Sequence, residues 1–347
     1  MSSAAVLAGL MLVGITTVHG QTALEMHRFF RNQIGLSEDQ IASIDRGKAV
    51  AKVIPSRTPA EVIVFGAVFV EAPPESYVRY AFDVERLLRS PSYLGVRRFS
   101  SPPATSDLEG FSLEPDDIRS LKFCRPGKCA IQLQADVMHE LQRSLDWAAP
   151  NLDAQVNERM RRAMLEVVRR YQAEGNRVLG SYHDTEHPFD FDSQLRSLVG
   201  RSEALPVYLP HLSHYLLDYP GSMPASAQSM LHWERVSFGL KPTLRLNHTI
   251  AYQPGGVMSG AQIVVVKQLF ASHYFQLALD LTACVPDSGH KGFYLITLKG
   301  SSQQGLTGWK GALLRLIVVS RTRSAEEKIL VNIKQVLEEK QQAARVN

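Results

Sequence analysis

His183, Glu186 and His187 stand in the spacing H-x-x-E-H, the pattern in which inverted zinc peptidases hold a metal-bound water. That chemistry needs both imidazoles on one helix face, the carboxylate as general base, and a third ligand downstream. Gly180 precedes the segment and Pro188 follows it, and a proline in that place stops a helix. The competing reading is a polar interhelical loop that carries two histidines. No G-x-S-x-G nucleophile pattern occurs. The Gly-rich stretch at 255–260 lies between strand-like segments, where a hairpin turn explains it better than a phosphate loop. No residue is therefore assigned a catalytic role, and neither a resident metal nor a cofactor is expected.

Cys124 and Cys129 flank Arg125-Pro126-Gly127-Lys128. Proline at the second and glycine at the third position of a four-residue turn suit type II geometry, which brings the two thiols together. A structural disulfide follows, and with it an oxidising compartment. A redox-active pair is the sharper alternative, but the four-residue spacing is not the two of thioredoxin-like sites. Cys284, inside Leu281-Thr-Ala-Cys-Val285, is expected as a buried free thiol.

Charged and polar side chains also interrupt apolar strand patterns. Alternation puts Leu244, Leu246, His248, Ile250 and Tyr252 on one face, and Arg245, Asn247 and Thr249 on the other. Lys267 and Asp280 break two further apolar runs. Such a group is an edge position, one half of a buried pair, or a polar side chain aimed into a cavity. The functional alternative is a ligand cavity lined by Arg245, Asn247, Lys267, Tyr274 and Asp280.

The elements that position these residues follow from periodicity. Glu61 to Val70 is almost wholly apolar, with β-branched and aromatic types dominant, and reads as a buried strand. Ala72-Pro73-Pro74-Glu75 ends it and opens a helix from Ser76 to Leu88. A short strand at Gly95–Phe99 follows, and Ile54 to Pro59 reads as a loop. From about Asp136 to Asp218 the pattern is mostly helical. Ala154 to Glu174 is the clearest case, with Val156, Met160, Met164, Val167, Val168 and Tyr171 on one stripe. Five strand-like segments then succeed one another, Ser229–Phe238, Thr243–Tyr252, Gln262–Phe270, Tyr274–Ala283 and Phe293–Lys299. Their short connections predict an antiparallel meander. A long helix closes the chain on a stripe of Leu313, Leu314, Ile317, Ile329, Ile333, Val336 and Leu337. A capping signal at Ser324 predicts a break near Arg321–Ser324.

At 347 residues the chain has room for a large core, and its 45% hydrophobic and 21% charged content is that of a globular protein. A net charge of +4 over this length is too small to argue for nucleic acid. Ala4 to Val18 is apolar and of signal-peptide length, with cleavage expected before Gln21, which predicts export to a periplasm or beyond the cell. No later stretch is apolar enough to span a bilayer, so no integral membrane segment is expected after cleavage.

The strand Glu61–Val70, the Ala72-Pro-Pro-Glu75 helix start, the meander and the long last helix together resemble the START-like helix-grip domains. That resemblance implies an antiparallel sheet gripping the C-terminal helix, with lipids or other apolar ligands held between them. It covers about residues 60–99 and 225–345. Leu121 to Cys129 and Lys267 to Phe275 are also similar to segments of a group of exported bacterial proteins, a likeness that carries no catalytic residues. The expectation is an α+β protein with an antiparallel, helix-grip-like sheet on a long C-terminal helix and a large helical insertion. Its divisions are a signal peptide over 1–20, an N-terminal helical segment over 21–58, a first α+β part with the disulfide turn over 59–135, the insertion over 136–218, and the completing sheet and helix over 219–347. The function implied is non-enzymatic binding or transport of an apolar or amphipathic, lipid-like molecule. The alternatives are a zinc hydrolase on His183, Glu186 and His187, or an interaction module of the cell envelope with the helical block as its partner surface.

Overall fold

The computed structural model describes residues 21–346 apart from 57, 201–208, 222–225, 238–239, 256–257, 304–305 and 307. The expected signal segment lies outside the described residues. The chain opens with α1 (Gln21–Phe29), which continues as a π-turn to Ile34, and α2 (Glu38–Asp45). Ser37 and Gln40 form the reciprocal cap that starts α2. Then come β1 (Val50–Ile54), β2 (Glu61–Val70), α3 (Glu75–Phe82), a 3-10 turn over Val84–Arg89, and β3 (Tyr93–Arg98). The single helix expected from Ser76 to Leu88 is thus two pieces that meet at Asp83.

The helical block follows as α4 (Pro115–Leu121), α5 (Ala135–Ser144) and α6 (Leu152–Glu174), a small ribbon of β4 (Ser181–Tyr182) and β5 (Phe189–Asp190), α7 (Phe191–Gly200) and α8 (Pro210–Leu217). The meander is β6 (Gln228–Val236), β7 (Thr243–Tyr252), β8 (Gln262–Ala271), β9 (Phe275–Pro286) and β10 (Phe293–Gln303), and α9 (Gly308–Val346) ends the fold.

The eight-stranded sheet runs β1-β2-β10-β9-β8-β7-β6-β3, with neighbouring strands antiparallel throughout. β2 therefore lies beside the last strand, and β3 pairs with β6 although the whole helical block separates them in sequence. This is the helix-grip-like sheet on a long C-terminal helix, with a large helical insertion between β3 and β6. β1 is an added edge strand that the sequence reading missed.

Because side chains alternate across a strand, the sheet has two distinct faces. One is covered by α1, the π-turn and the block: Phe30 meets Phe65 and Tyr294 at edge-to-face angles, and Phe111 packs the same way on Trp233. Trp233 also donates its indole N–H to Asp107 O at 2.7 Å. The apolar stripe of α6 (Val156, Met160, Met164, Val168, Tyr171) is buried in this core, with Val167 packed at its margin.

The opposite face carries α9, which packs on β1 and β2. Gly66 is the close approach: a Cβ there would come within 2.6 Å of Thr297 Oγ1 and 2.8 Å of a Leu330 methyl. Among the described residues of α9 the buried apolar ones are Leu330, Ile333 and Leu337; Ile333 and Leu337 are on the expected stripe, and Leu330 takes the place of Ile329, which is 42% exposed. The expected break at Arg321–Ser324 is absent; the helix runs through. The side chains of Leu313, Leu314 and Ile317 lie outside the described residues.

Candidate functional site

On the α9 side, neighbouring strands place a continuous field of polar side chains. One row across the sheet is Lys299, Asp280, Val266 and Thr249, and the next is Ala278, Gln268, Asn247 and His232, followed by Arg245 and Glu234. The buried or half-buried setting of a row like this is costly unless each group finds a partner.

Several do. Glu326, on α9 and only 2% exposed, accepts from Thr297 Oγ1 at 2.6 Å and pairs with Lys299 Nζ at 2.8 Å. Burial lowers the Lys299 ammonium's pKa, but Glu326 and Asp280 outweigh it and hold it above the usual value. Arg245 Nη1 donates to Glu234 at 2.8 Å, and its Nε to Gln268 Oε1 at 3.3 Å. Burial, against the pull of Lys299 and Arg245, raises the pKa of the Asp280 carboxyl. Tyr77 of α3 bonds Thr282 Oγ1 at 3.1 Å and stacks on Tyr80, whose ring lies under the Arg86 guanidinium.

Two groups do not. His232 is 4% and Asn247 1% exposed. Asn247 Nδ2 and His232 Nε2 lie 3.3 Å apart, while His232 Nδ1 and Asn247 Oδ1 are buried without a hydrogen-bond partner. Burial pushes the imidazole pKa down to about 4, so it is neutral at ordinary pH.

This face is also incompletely covered. α9 follows β2, with Arg315 bonded to Glu61 O at one end and Lys334 to Phe69 O at the other. α3 reaches β8 from the far end, and the 3-10 turn over Val84–Arg89 packs on β3, with Val84 clustered against Val96 and Met230 of β6. Between them Tyr93, Arg245, Val266, Asp280 and Lys299 stay half-buried, although all but Tyr93 belong to inner strands. We refer to this partly exposed polar strip of the sheet as the groove. Two depressions, of about 320 Å³ on α6 and about 290 Å³ between α3 and α9, include no strand residue.

Of the five cavity residues expected from the sequence, the structure gathers Arg245, Asn247 and Asp280 on the groove face. It places the other two elsewhere. Lys267 has the opposite parity and is fully buried against the helical block, donating to Asn176 Oδ1 at 2.8 Å and to Leu216 O at 3.4 Å. There it lies 5.0 Å from the Tyr171 ring centre, and Tyr171 OH is 2.9 Å from His248 Nδ1. Tyr274 sits at the β8–β9 tip with φ +64°, and its hydroxyl accepts from Lys241 N at 3.1 Å. His232, Glu234, Lys299 and Glu326 are groove residues that the sequence reading did not single out.

His183, Glu186 and His187 occupy the turn between β4 and β5, not a helix face. The turn is tied instead to the cysteine loop: Gly127 N donates to His183 O at 2.7 Å and Cys129 N to Asp184 O at 3.0 Å. Cys124 and Cys129 are disulfide-bonded, and Gly127 adopts φ +88°, as the third residue of a type II turn requires. Cys284 is a buried free thiol. Among the described residues no cluster of three or more His, Cys, Asp or Glu side chains is arranged to hold a metal, and no helix is long and apolar enough to cross a membrane.

No family model, curated protein or solved structure matches the chain.

Proposed function

We propose that the chain is an exported, non-enzymatic binding protein that holds an amphipathic, lipid-like small molecule in the groove between the sheet and α9. The observation that carries this reading is the half-buried state of Val266 and Asp280 on inner strands, in a face that α9 and α3 leave open between them. Ligand sites combine apolar walls with a few convergent polar groups. Here Val266 and Ala278 offer apolar floor, while the paired Arg245–Glu234 and Lys299–Glu326 side chains and the unpaired atoms of His232 and Asn247 offer polar contacts. The disulfide supports an oxidising compartment.

The test is titration with the neutral fluorophore N-phenylnaphthylamine. Val266→Trp and Ala278→Phe each fill the groove floor, and each weakens probe binding by about tenfold or more while circular dichroism stays that of the parent. Binding that survives both substitutions in folded protein places the probe elsewhere and overturns the proposal.

A further inference from the structure

The groove's two cations are already matched. Arg245 faces Glu234 and Lys299 faces Glu326, each at 2.8 Å. An anionic head group entering here competes with a carboxylate that is already in place and leaves it unpaired in a partly dry site. The buried side-chain atoms that this face leaves without a partner belong to two neutral residues.

His232 and Asn247 make one bond to each other, across facing positions of β6 and β7. In the arrangement seen, Asn247 Nδ2 donates to His232 Nε2, which leaves Nδ1–H as a free donor and Asn247 Oδ1 as a free acceptor. Turning the amide over changes the roles but not the sum. His232 Nε2–H then donates to Oδ1, leaving Nδ1 as acceptor and the Asn247 N–H as donor. Either way the pair keeps at least one donor and one acceptor unmet, on two residues of the groove face that are each more than nine-tenths buried. Buried polar atoms are paired by protein, water or ligand in nearly every case.

Resting on the reading that the groove binds a small molecule, we infer that the His232–Asn247 pair selects an uncharged head group that both donates and accepts, a primary amide or a hydroxyl. Such a group satisfies both free atoms at once and disturbs neither ion pair. A carboxylate brings acceptors only and an ammonium donors only, so each leaves one of the two atoms unmet.

Competition against bound N-phenylnaphthylamine at about pH 7.5 tests this with four probes of one chain length: dodecanamide, dodecanol, dodecanoate and dodecylammonium. The amide and the alcohol are expected to displace the fluorophore at concentrations about tenfold lower than the two ions. The readout is the ratio between neutral and charged competitors, so a change in fluorophore affinity cancels. His232→Leu and Asn247→Leu collapse the ratio to below about twofold, and His232→Gln, which keeps a donor and an acceptor, restores most of it. A ratio near one in the parent, or one that survives both leucine variants, overturns the inference and assigns the two atoms to buried water. Failure of the fluorophore to bind at all defeats the binding reading itself, and this inference with it.

Discussion

Lys267 Nζ donates to Asn176 Oδ1 at 2.8 Å, so a lysine in the middle of the sheet is tied to the helical block. Burial lowers its pKa to about 7. A base with a depressed folded pKa binds fewer protons folded than unfolded between that value and its ordinary one, so stability rises with pH across this window. Wild-type protein should therefore gain thermal stability relative to Lys267→Met as pH rises from about 7 to about 10. Melting curves of the two proteins across that range check it; a constant difference would mean that Lys267 does not change protonation on folding.

Asp117 is the corresponding anchor at the other end of the block. Its carboxylate, 1% exposed, lies 2.8 Å from His273 Nε2 and 2.9 Å from Lys241 Nζ, and His273 Nδ1 is 3.0 Å from Ala130 O. Burial raises the carboxyl pKa, but the His273 and Lys241 bonds outweigh it and the net shift is downward. A depressed carboxylate pKa stabilises the fold above the unfolded value and loses that contribution as pH falls through the folded value. Asp117→Asn should cost about 3 kcal/mol near neutral pH, less near pH 3, read by urea denaturation at both. An equal cost at the two pH values would contradict the assignment.

The groove charges make a separate prediction. Lys299 holds the Asp280 carboxyl down while burial and Glu326 push it up. Lys299→Met removes the opposing cation, so Asp280 should titrate at higher pH than in the parent. Glu326→Gln should shift it the other way. Carbon-detected NMR of the Asp280 carboxyl across a pH series reads both signs, and shifts of the same sign in the two variants would break the coupling described.

Packing of α9 on β2 depends on Gly66. Gly66→Ala places a methyl against Thr297 and Leu330, where overpacking of this kind costs about 1–3 kcal/mol. The loss is expected in urea unfolding, and a neutral outcome would mean that α9 shifts freely over the strand.

The Cys124–Cys129 bridge closes a short loop, worth about 2 kcal/mol in the chain-entropy model. Replacing both cysteines by serine should lower stability by that amount and loosen the β4–β5 turn bonded to the loop. Hydrogen exchange at Gly127 and Cys129 N–H reports the second effect, and protection equal to the parent's would show the two turns to be independent of the bridge.

Strand alternation was legible wherever a long apolar run carried its own period. Residues 243–252 sort onto two faces as read, with Arg245 and Asn247 opposite His248. Which face holds a ligand was not legible, because strand parity does not say what covers each side. Lys267 carries a charge as Arg245 does, and only the β7–β8 register, which pairs it with His248, puts it on the other face. His232 and Glu234 alternate with apolar neighbours in β6 as Arg245 and Asn247 do in β7, so the same signal was present there and went unused. Glu326 looked like part of a helix start, since nothing local distinguishes a capping carboxylate from one reaching a lysine on a distant strand. β1 has five residues and no clean alternation, and a proline follows it directly. Its strand state comes from pairing with β2.

Native mass spectrometry of protein purified gently from an exported preparation, without reducing agent, tests the central claim most directly. The account predicts a noncovalent adduct that denaturation releases as an amphipathic small molecule, lost in Val266→Trp. A bare mass in the parent, together with no binding of N-phenylnaphthylamine, would contradict it.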